Sequence, residues 1–432
     1  MKQIRKPFAI VTGFAVILIA LQFIERPVSN PPADKPLKAP TEVVAILEKS
    51  CYDCHSNRTN LRWYDQVAPA SWLVNAHVKE ARTRFNFSTW DTLTPAAQNG
   101  FVWEFINMVQ LHQMPLGSYT AVHPDAKLTN EALDVLKKYA ASISPVKYHD
   151  TAVIAQADKE FAEFIAGEHT NTAGLKTVNG IDYIPDFQHW KVISATDRFD
   201  FQNVRVVYAN DIMVKAIESG NTSDFPQGST IVKACWNTVQ EANGDIRPGS
   251  VNSIQIITKD DKRFPDSKGW GFAKFLGYKL KPYGATPLFN ATCFHCHEMA
   301  KAQDYVFNIP PADANGKREI YDAGGLQVIT SFANRAQHTM SILYGNDPGR
   351  KAALAGYQQH TPGEAYKLIT YKEVVNPFWY GSYINGPVQS VESIHSGANG
   401  ELAYTVEKGT LSTAQADVRM AEIFSHRASV FP

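Results

Sequence analysis

At two points the sequence sets two cysteines three apart with a histidine directly after the second: Cys51, Cys54 and His55 in "CYDCH", and Cys293, Cys296 and His297 in "CFHCH". The chain has only five cysteines among 432 residues, and random placement of that composition gives roughly 0.002 matches to C-x-x-C-H. Two matches therefore call for a chemical reason. In this spacing the two thiols can add to the two vinyl groups of a haem while the neighbouring histidine turns inward to ligate iron. A redox dithiol leaves the histidine unexplained, and one shared four-cysteine zinc site would have to join distant segments of different texture. The expectation is two covalently attached c-type haems, with His55 and His297 as the proximal iron ligands.

The sixth ligands differ between the two sites. Met114 in "HQMPLG" follows the first motif by about 60 residues, where a thioether would raise the potential of an electron-transfer haem. His77 and His112 are the alternatives. No methionine or histidine stands out for the second haem, Met299 being too close in sequence. A five-coordinate iron with a free face follows, and such an iron binds a small gas or does chemistry.

Lysine plus arginine and aspartate plus glutamate both total 42, which gives no electrostatic reason to expect nucleic acid as a partner. Lys2, Arg5 and Lys6 precede an uncharged apolar run from Phe8 to Ile24, about 25 Å long as a helix. With no small-x-small cleavage site after it, this run reads as an uncleaved signal anchor over 1–26 and not as a removed signal peptide. The basic flank then stays inside, and the rest of the chain lies at the periplasmic side of a bacterial inner membrane. Residues 27–40, with Pro27, Pro31, Pro32, Pro36 and Pro40, read as an extended linker.

From Thr41 the pattern is helical, with Val43, Leu47 and Cys51 four apart and Cys54 on the same face, so the sulfurs stand at a helix end. Thr129 caps a second expected helix over about 130–141. Residues 41–150 thus read as an all-α monohaem cytochrome c domain. Beyond 150 the segments "NVRVVYAN", "STIVKACWNTV" and "VNSIQIITK" read as strands, with a short helix ended by Gly220 between the first two. The fold class expected for 151–312 is α+β with an antiparallel sheet.

Residues 206–239 align with 342–374: Tyr208 with Tyr344, Asn210-Asp211 with Asn346-Asp347, Gly228 with Gly363, Trp236 with Tyr371. Residues 313–432 are therefore expected to be a second α+β copy pairing with the first as an internal pseudo-dimer. That copy carries Ser341 for Arg205, Leu368 for Lys233, Glu392 near the Gln255 position, and Asp417, Met420 and Ala421 for the C-x-x-C-H residues. It is expected to be haem-free.

Two strands carry charges among apolar residues. In "STIVKACW", Lys233 shares a face with Ile231 and Cys235, opposite Val232, Ala234 and Trp236. It either snorkels to water from an edge strand or is buried as a nucleophilic amine. Arg205, between Val204 and Val206, is either a strand-end salt bridge or a donor to a ligand on iron. Cys235 reads as a packed core thiol.

The stretch from "CYDCHSNRTNLRWYDQVAPASWLVNAHVKEARTRFNFSTW" through "QMPLG" to "HPDAKLTNEALDVLKKY" resembles the haem-binding-domain family of small bacterial monohaem cytochromes c, over about residues 41–145. The ordered motifs "FQNVRVVYAND", "FPQGSTIVKACW", "IITKDDKRF", "KGWGFAKF" and "CFHCHEMAKAQDYVFN" resemble the cytochrome P-460 family, over about residues 177–310. That resemblance implies that Lys233 is bonded to a meso carbon of the second haem, giving a Lys-modified P-460-type haem, and that Arg205 is the distal arginine. It also implies oxidation of hydroxylamine at a five-coordinate haem, aided by a carboxylate four residues before Lys259-Asp260. Gln255 stands there instead, an amide that takes up no proton at neutral pH. The resemblance thus leaves two classes of function: a dihaem oxidoreductase acting on a small nitrogenous substrate and passing electrons to a redox partner protein or membrane carrier, or a haem protein that binds nitric oxide without turnover. A third reading is an electron-transfer subunit of a larger complex.

Overall fold

The computed structural model describes residues 5–24, 28–411 and 413–432. Two compact units divide the chain, Met1–Pro145 and Val146–Pro432. The first is helical: α1 (Arg5–Leu21), α2 (Thr41–Ser50), α3 (Tyr52–His55), α4 (Ala70–Arg84), α5 (Pro95–Gln110), α6 (Gly117–Val122) and α7 (Asn130–Ile143).

The N-terminal element corrects the sequence reading. The apolar run extends to Ile24, but α1 stops at Leu21 because Gln22 and Phe23 turn back on the carbonyls of Ile19 and Ala20. Its 17 residues span about 25 Å, short of a bilayer's apolar core of roughly 30 Å. Among the described residues no helix is long and apolar enough to cross a membrane. The expected transmembrane helix, the membrane anchoring, and the placement at the periplasmic face through such an anchor are all overturned by that finding. The proline-rich stretch that follows runs along the helical unit. Leu37 is buried and donates its N–H to the Phe87 carbonyl, and Arg82 donates to the Ser29 carbonyl.

Local chemistry sets the helix ends. Thr129 accepts the Ala132 N–H at 3.2 Å and opens α7, which buries Leu136, Tyr139 and Ala140. Val43 and Leu47 of α2 are buried one turn apart, which fixes the face on which the chain enters α3.

The second unit opens with α8 (Thr151–Ile165), followed by β1 (Lys191–Arg198), β2 (Asn203–Ala209), α9 (Asp211–Glu218), β3 (Thr230–Gln240), β4 (Asp245–Lys259), β5 (Trp270–Leu276), β6 (Lys281–Pro282) and α10 (Phe289–His297). The same order, without a counterpart of β6, then recurs as β7 (Gln327–Asn334), β8 (Thr339–Gly345), α11 (Asp347–Leu354), β9 (Ala365–Val375), β10 (Ser382–Ser396), β11 (Leu402–Lys408) and α12 (Ala416–Phe424). Asn210 and Asn346 play one role in both copies. Each caps the following helix through its side-chain oxygen and donates to a glycine carbonyl, Gly228 and Gly363 respectively.

The copies were expected as two domains with a sheet each, but they build one 11-stranded antiparallel sheet. The start of β4 pairs with β7, and the start of β10 pairs with β1. Because β3 also pairs with β4, the path closes into a ring through β10, β9, β8 and β7, and both copies lose their free inner edges. One core lies within this ring, with Val206, Val232, Trp236 and Ile254 from the first copy against Ile342, Tyr371 and Val391 from the second. Each copy buries its other sheet face separately, under α9 and α10 or under α11 and α12.

Candidate haem sites

On the outer face of the first copy, β-sheet alternation brings polar side chains into an apolar layer. Val207, Lys233, Gln255 and Lys274 are directly paired across β2, β3, β4 and β5, so they share one face. One step along lie Arg205, Cys235, Ser253 and Leu276 in the same register. Around them Val207, Ile231, Ile257 and Phe272 are buried, together with Phe294 of α10, and Cys293 packs against this cluster.

Lys233 is 8% exposed. Burial, with the Arg205 charge adding to it, brings its amine down to about 8. Lys274 is lowered by burial too. The half-buried Arg205 donates from Nε to Asn203 Oδ1 at 2.7 Å, and burial, with Arg198 close by, brings its guanidinium down to about 10. Gln255 donates to Ser253 Oγ at 3.1 Å. The patch therefore gathers three cationic side chains around a neutral amide.

The C-x-x-C-H helix covers this face. His297 ends α10, and its ring lies 4.7 Å from Phe272 and 4.9 Å from Phe307. Its Nδ1 is 2.7 Å from the Tyr305 carbonyl. A carbonyl only accepts, so Nδ1 carries the proton and Nε2 keeps the lone pair. Burial, helped by the Lys233 charge, holds the ring neutral, down to about 3. The donor set fits a haem iron: one neutral imidazole with Nε2 available and two thiols of the same helix beside it.

The first motif repeats the arrangement. His55 points Nδ1 at the Phe85 carbonyl at 3.4 Å, stacks on the Phe85 ring at 4.2 Å, and is lowered by burial to about 4. Burial raises Cys51 to about 12 and Cys54 to about 11, and it raises Cys293 as well. These are protonated thiols, unlike the thiolates that bind zinc. Among the described residues no group of three or more His, Cys, Asp or Glu converges as a metal cluster.

Met114 lies just before α6, and Tyr119 of α6 donates to Asp53 Oδ2 at 2.7 Å, between the two cysteines. The segment bearing Met114 is thus tied to the motif. His77 is half-buried on α4, and His112 is exposed.

In the second copy the equivalent positions hold different groups. Leu368 pairs with Glu392 as Lys233 pairs with Gln255, and Glu392 is taken up by Arg419 of α12 at 2.7 and 2.8 Å and by Tyr404 at 2.6 Å. α12 carries neither cysteine nor histidine. Sequence reading missed Lys274, although a lone lysine in "WGFAKFL" is the same signal that marked Lys233.

Residues 16–142 match the family model described as Haem-binding domain, and residues 184–308 match that of Cytochrome P460. Comparison with curated proteins gives no match. With a neutral histidine and paired thiols in each matched region, the chain is a haem protein that joins a haem-binding domain to a cytochrome P460 domain.

Proposed function

We propose that the chain is a two-haem redox protein in which the His297 centre acts on a small nitrogenous substrate, hydroxylamine or nitric oxide, and the His55 centre passes the electrons to a redox partner protein. Cys51 and Cys54 would hold one haem and Cys293 and Cys296 the other, each as a c-type attachment. Haem supplies a redox-active iron that can take an exogenous ligand.

The observation that carries this reading is the row of buried Lys233 and half-buried Gln255 and Lys274, with Arg205 beside it, set among the apolar residues under the His297 helix. Arg205 would donate a hydrogen bond to the substrate. Lys233, with its amine near 8, has a substantial neutral fraction at physiological pH, and the neutral amine is the nucleophile needed for the bond to haem that the family resemblance implies. His55, stacked on Phe85 with Met114 as the proposed sixth ligand, suits a relay and not a reaction centre. Rapid mixing with hydroxylamine tests the reading. Reduction of the His55 haem during turnover supports it, and the absence of both turnover and electron arrival overturns it.

A second reading, nitric oxide capture without turnover, is favoured by one feature. Gln255 stands between two lysines where the resemblance implies a carboxylate, so that position offers no proton acceptor. Tight nitric oxide binding without catalytic electron release would select it.

A further inference from the structure

The haem-free copy does more than close the sheet. Its connection between β9 and β10 runs over 376–381, whereas the matching connection in the first copy spans only 241–244. The longer loop is held rigid. Asn376 donates its backbone N–H to Ser382 at 3.0 Å and its side chain caps Phe378 at 3.0 Å. Gly381 takes φ +103°, and a Cβ there would stand 2.8 Å from Asp200 Cβ. The loop therefore lies directly on the turn between β1 and β2 of the first copy.

Trp379 is the loop's buried aromatic side chain, 4% exposed. Its Nε1–H donates to Asp200 Oδ2 at 2.7 Å, and its ring lies 4.7 Å from the Arg198 guanidinium. Arg198 pairs with the buried Asp200, donating from Nε at 2.7 Å, and also packs on Phe201 at 4.9 Å. Trp379 then meets Phe307 edge-on at 5.8 Å, and Phe307 meets the His297 ring at 4.9 Å. Arg198 faces Asn203 across β1 and β2, and Asn203 accepts from Arg205 Nε at 2.7 Å, so the Arg198 charge lies next to the polar row of the first copy.

We infer that the haem-free copy completes the His297 site, with Trp379 as a positioning residue that fixes the Arg198 guanidinium beside it and so favours anionic ligands there. The inference rests on the assignment of a haem to His297. An arginine sandwiched between aromatic rings and gripped by a buried carboxylate has one orientation. Removing the indole takes away one of the two rings and leaves Asp200 Oδ2 without its indole donor, so the guanidinium is held less firmly and its positive charge is no longer fixed beside the site.

The test uses full-length holoprotein, with azide as the anionic probe and the midpoint potential of each haem as a second readout. Trp379→Leu and Arg198→Gln should each weaken azide binding at the His297 haem by about tenfold. Trp379→Phe, which keeps a ring over Arg198, should weaken it less. The potential of the His297 haem should fall in the same order while that of the His55 haem stays fixed, a pattern that a general loss of packing would not give. Wild-type azide affinity in a folded Trp379→Leu protein carrying both haems overturns the inference. Should that variant not fold, unchanged affinity and potential in both Arg198→Gln and Trp379→Phe overturn it equally. A wild-type Cys293–Cys296 peptide without haem overturns the functional reading and this inference with it, so the two failures are distinct.

Discussion

Gln255 decides the acid–base character of the second site, because its cross-strand neighbours are two lysines and its side chain cannot ionise. Gln255→Glu would place a carboxylate between Lys233 and Lys274, with two cations to keep it charged despite burial. Hydroxylamine oxidation, measured as reduction of an artificial electron acceptor, should then rise by about tenfold or more. No gain would mean that proton removal at this position does not limit the reaction. Lys233 makes a separate prediction. Lys233→Leu installs the residue that the second copy carries at Leu368, so the strand keeps its packing. Proteolysis and mass spectrometry should find the Lys233 peptide joined through haem to the Cys293–Cys296 peptide in the wild type, and haem on the cysteine peptide alone in the variant. Separate peptides in the wild type would leave an ordinary c-type haem and favour gas binding.

At the level of elements, the seam between the copies stores a pH dependence. Glu373 of β9 is 5% exposed with both carboxylate oxygens lacking a hydrogen-bond partner, and the exposed His338 approaches only to 3.6 Å. Burial and the nearby Asp197, itself held by Arg335, push its carboxyl up to about 7 from an ordinary 4.5. Between those values the folded chain keeps a proton on Glu373 that the unfolded chain has released, so the contribution of Glu373 to stability falls as pH rises from about 4.5 to about 7 and then levels. Glu373→Gln should abolish that fall and make the variant the more stable protein above neutrality, as read from urea midpoints across the window. Parallel pH profiles for the two proteins would refute it. Strands β2, β3 and β4 were legible in the sequence as runs rich in β-branched residues bounded by Gly, Pro or Asn, and the alternation along β3 set Lys233 apart from Val232 and Ala234. The repeat could be aligned closely enough to match Lys233 with Leu368 because the Asn210 and Asn346 caps are local signals. The pairing of β4 with β7 and of β1 with β10 joins residues far apart in the chain and leaves no local pattern. The same holds for Trp379, which reaches the haem site only through that non-local closure. The apolar run to Ile24 misled because hydropathy does not register a helix ending three residues earlier, at Leu21.

For the molecule as a whole, the closed ring makes the two copies one folding unit, since each completes the other's sheet and both fill a single interior. Trp236 shows how tightly they are coupled. It belongs to β3 of the first copy, yet its Nε1–H donates to the Val430 carbonyl at 2.8 Å and its ring meets Phe431 edge-on at 5.0 Å, both near the C-terminus. Tyr183 likewise donates to the Pro432 carbonyl at 2.8 Å. Trp236→Ala removes the largest side chain at this contact and leaves the Val430 carbonyl without its donor, at a cost of about 3–5 kcal/mol. The loss should not stay in the first copy. Native-state hydrogen exchange should show β2 and β8 amides losing protection by similar factors, because both report the opening of one cooperative unit. Amides of α5 and α7, in the separate helical unit, should keep theirs. Loss confined to β2, with β8 unchanged, would show that the second copy folds by itself. It would then be an appended domain, and the proposed reach of its 376–381 loop into the haem site would lose the rigid frame on which it depends.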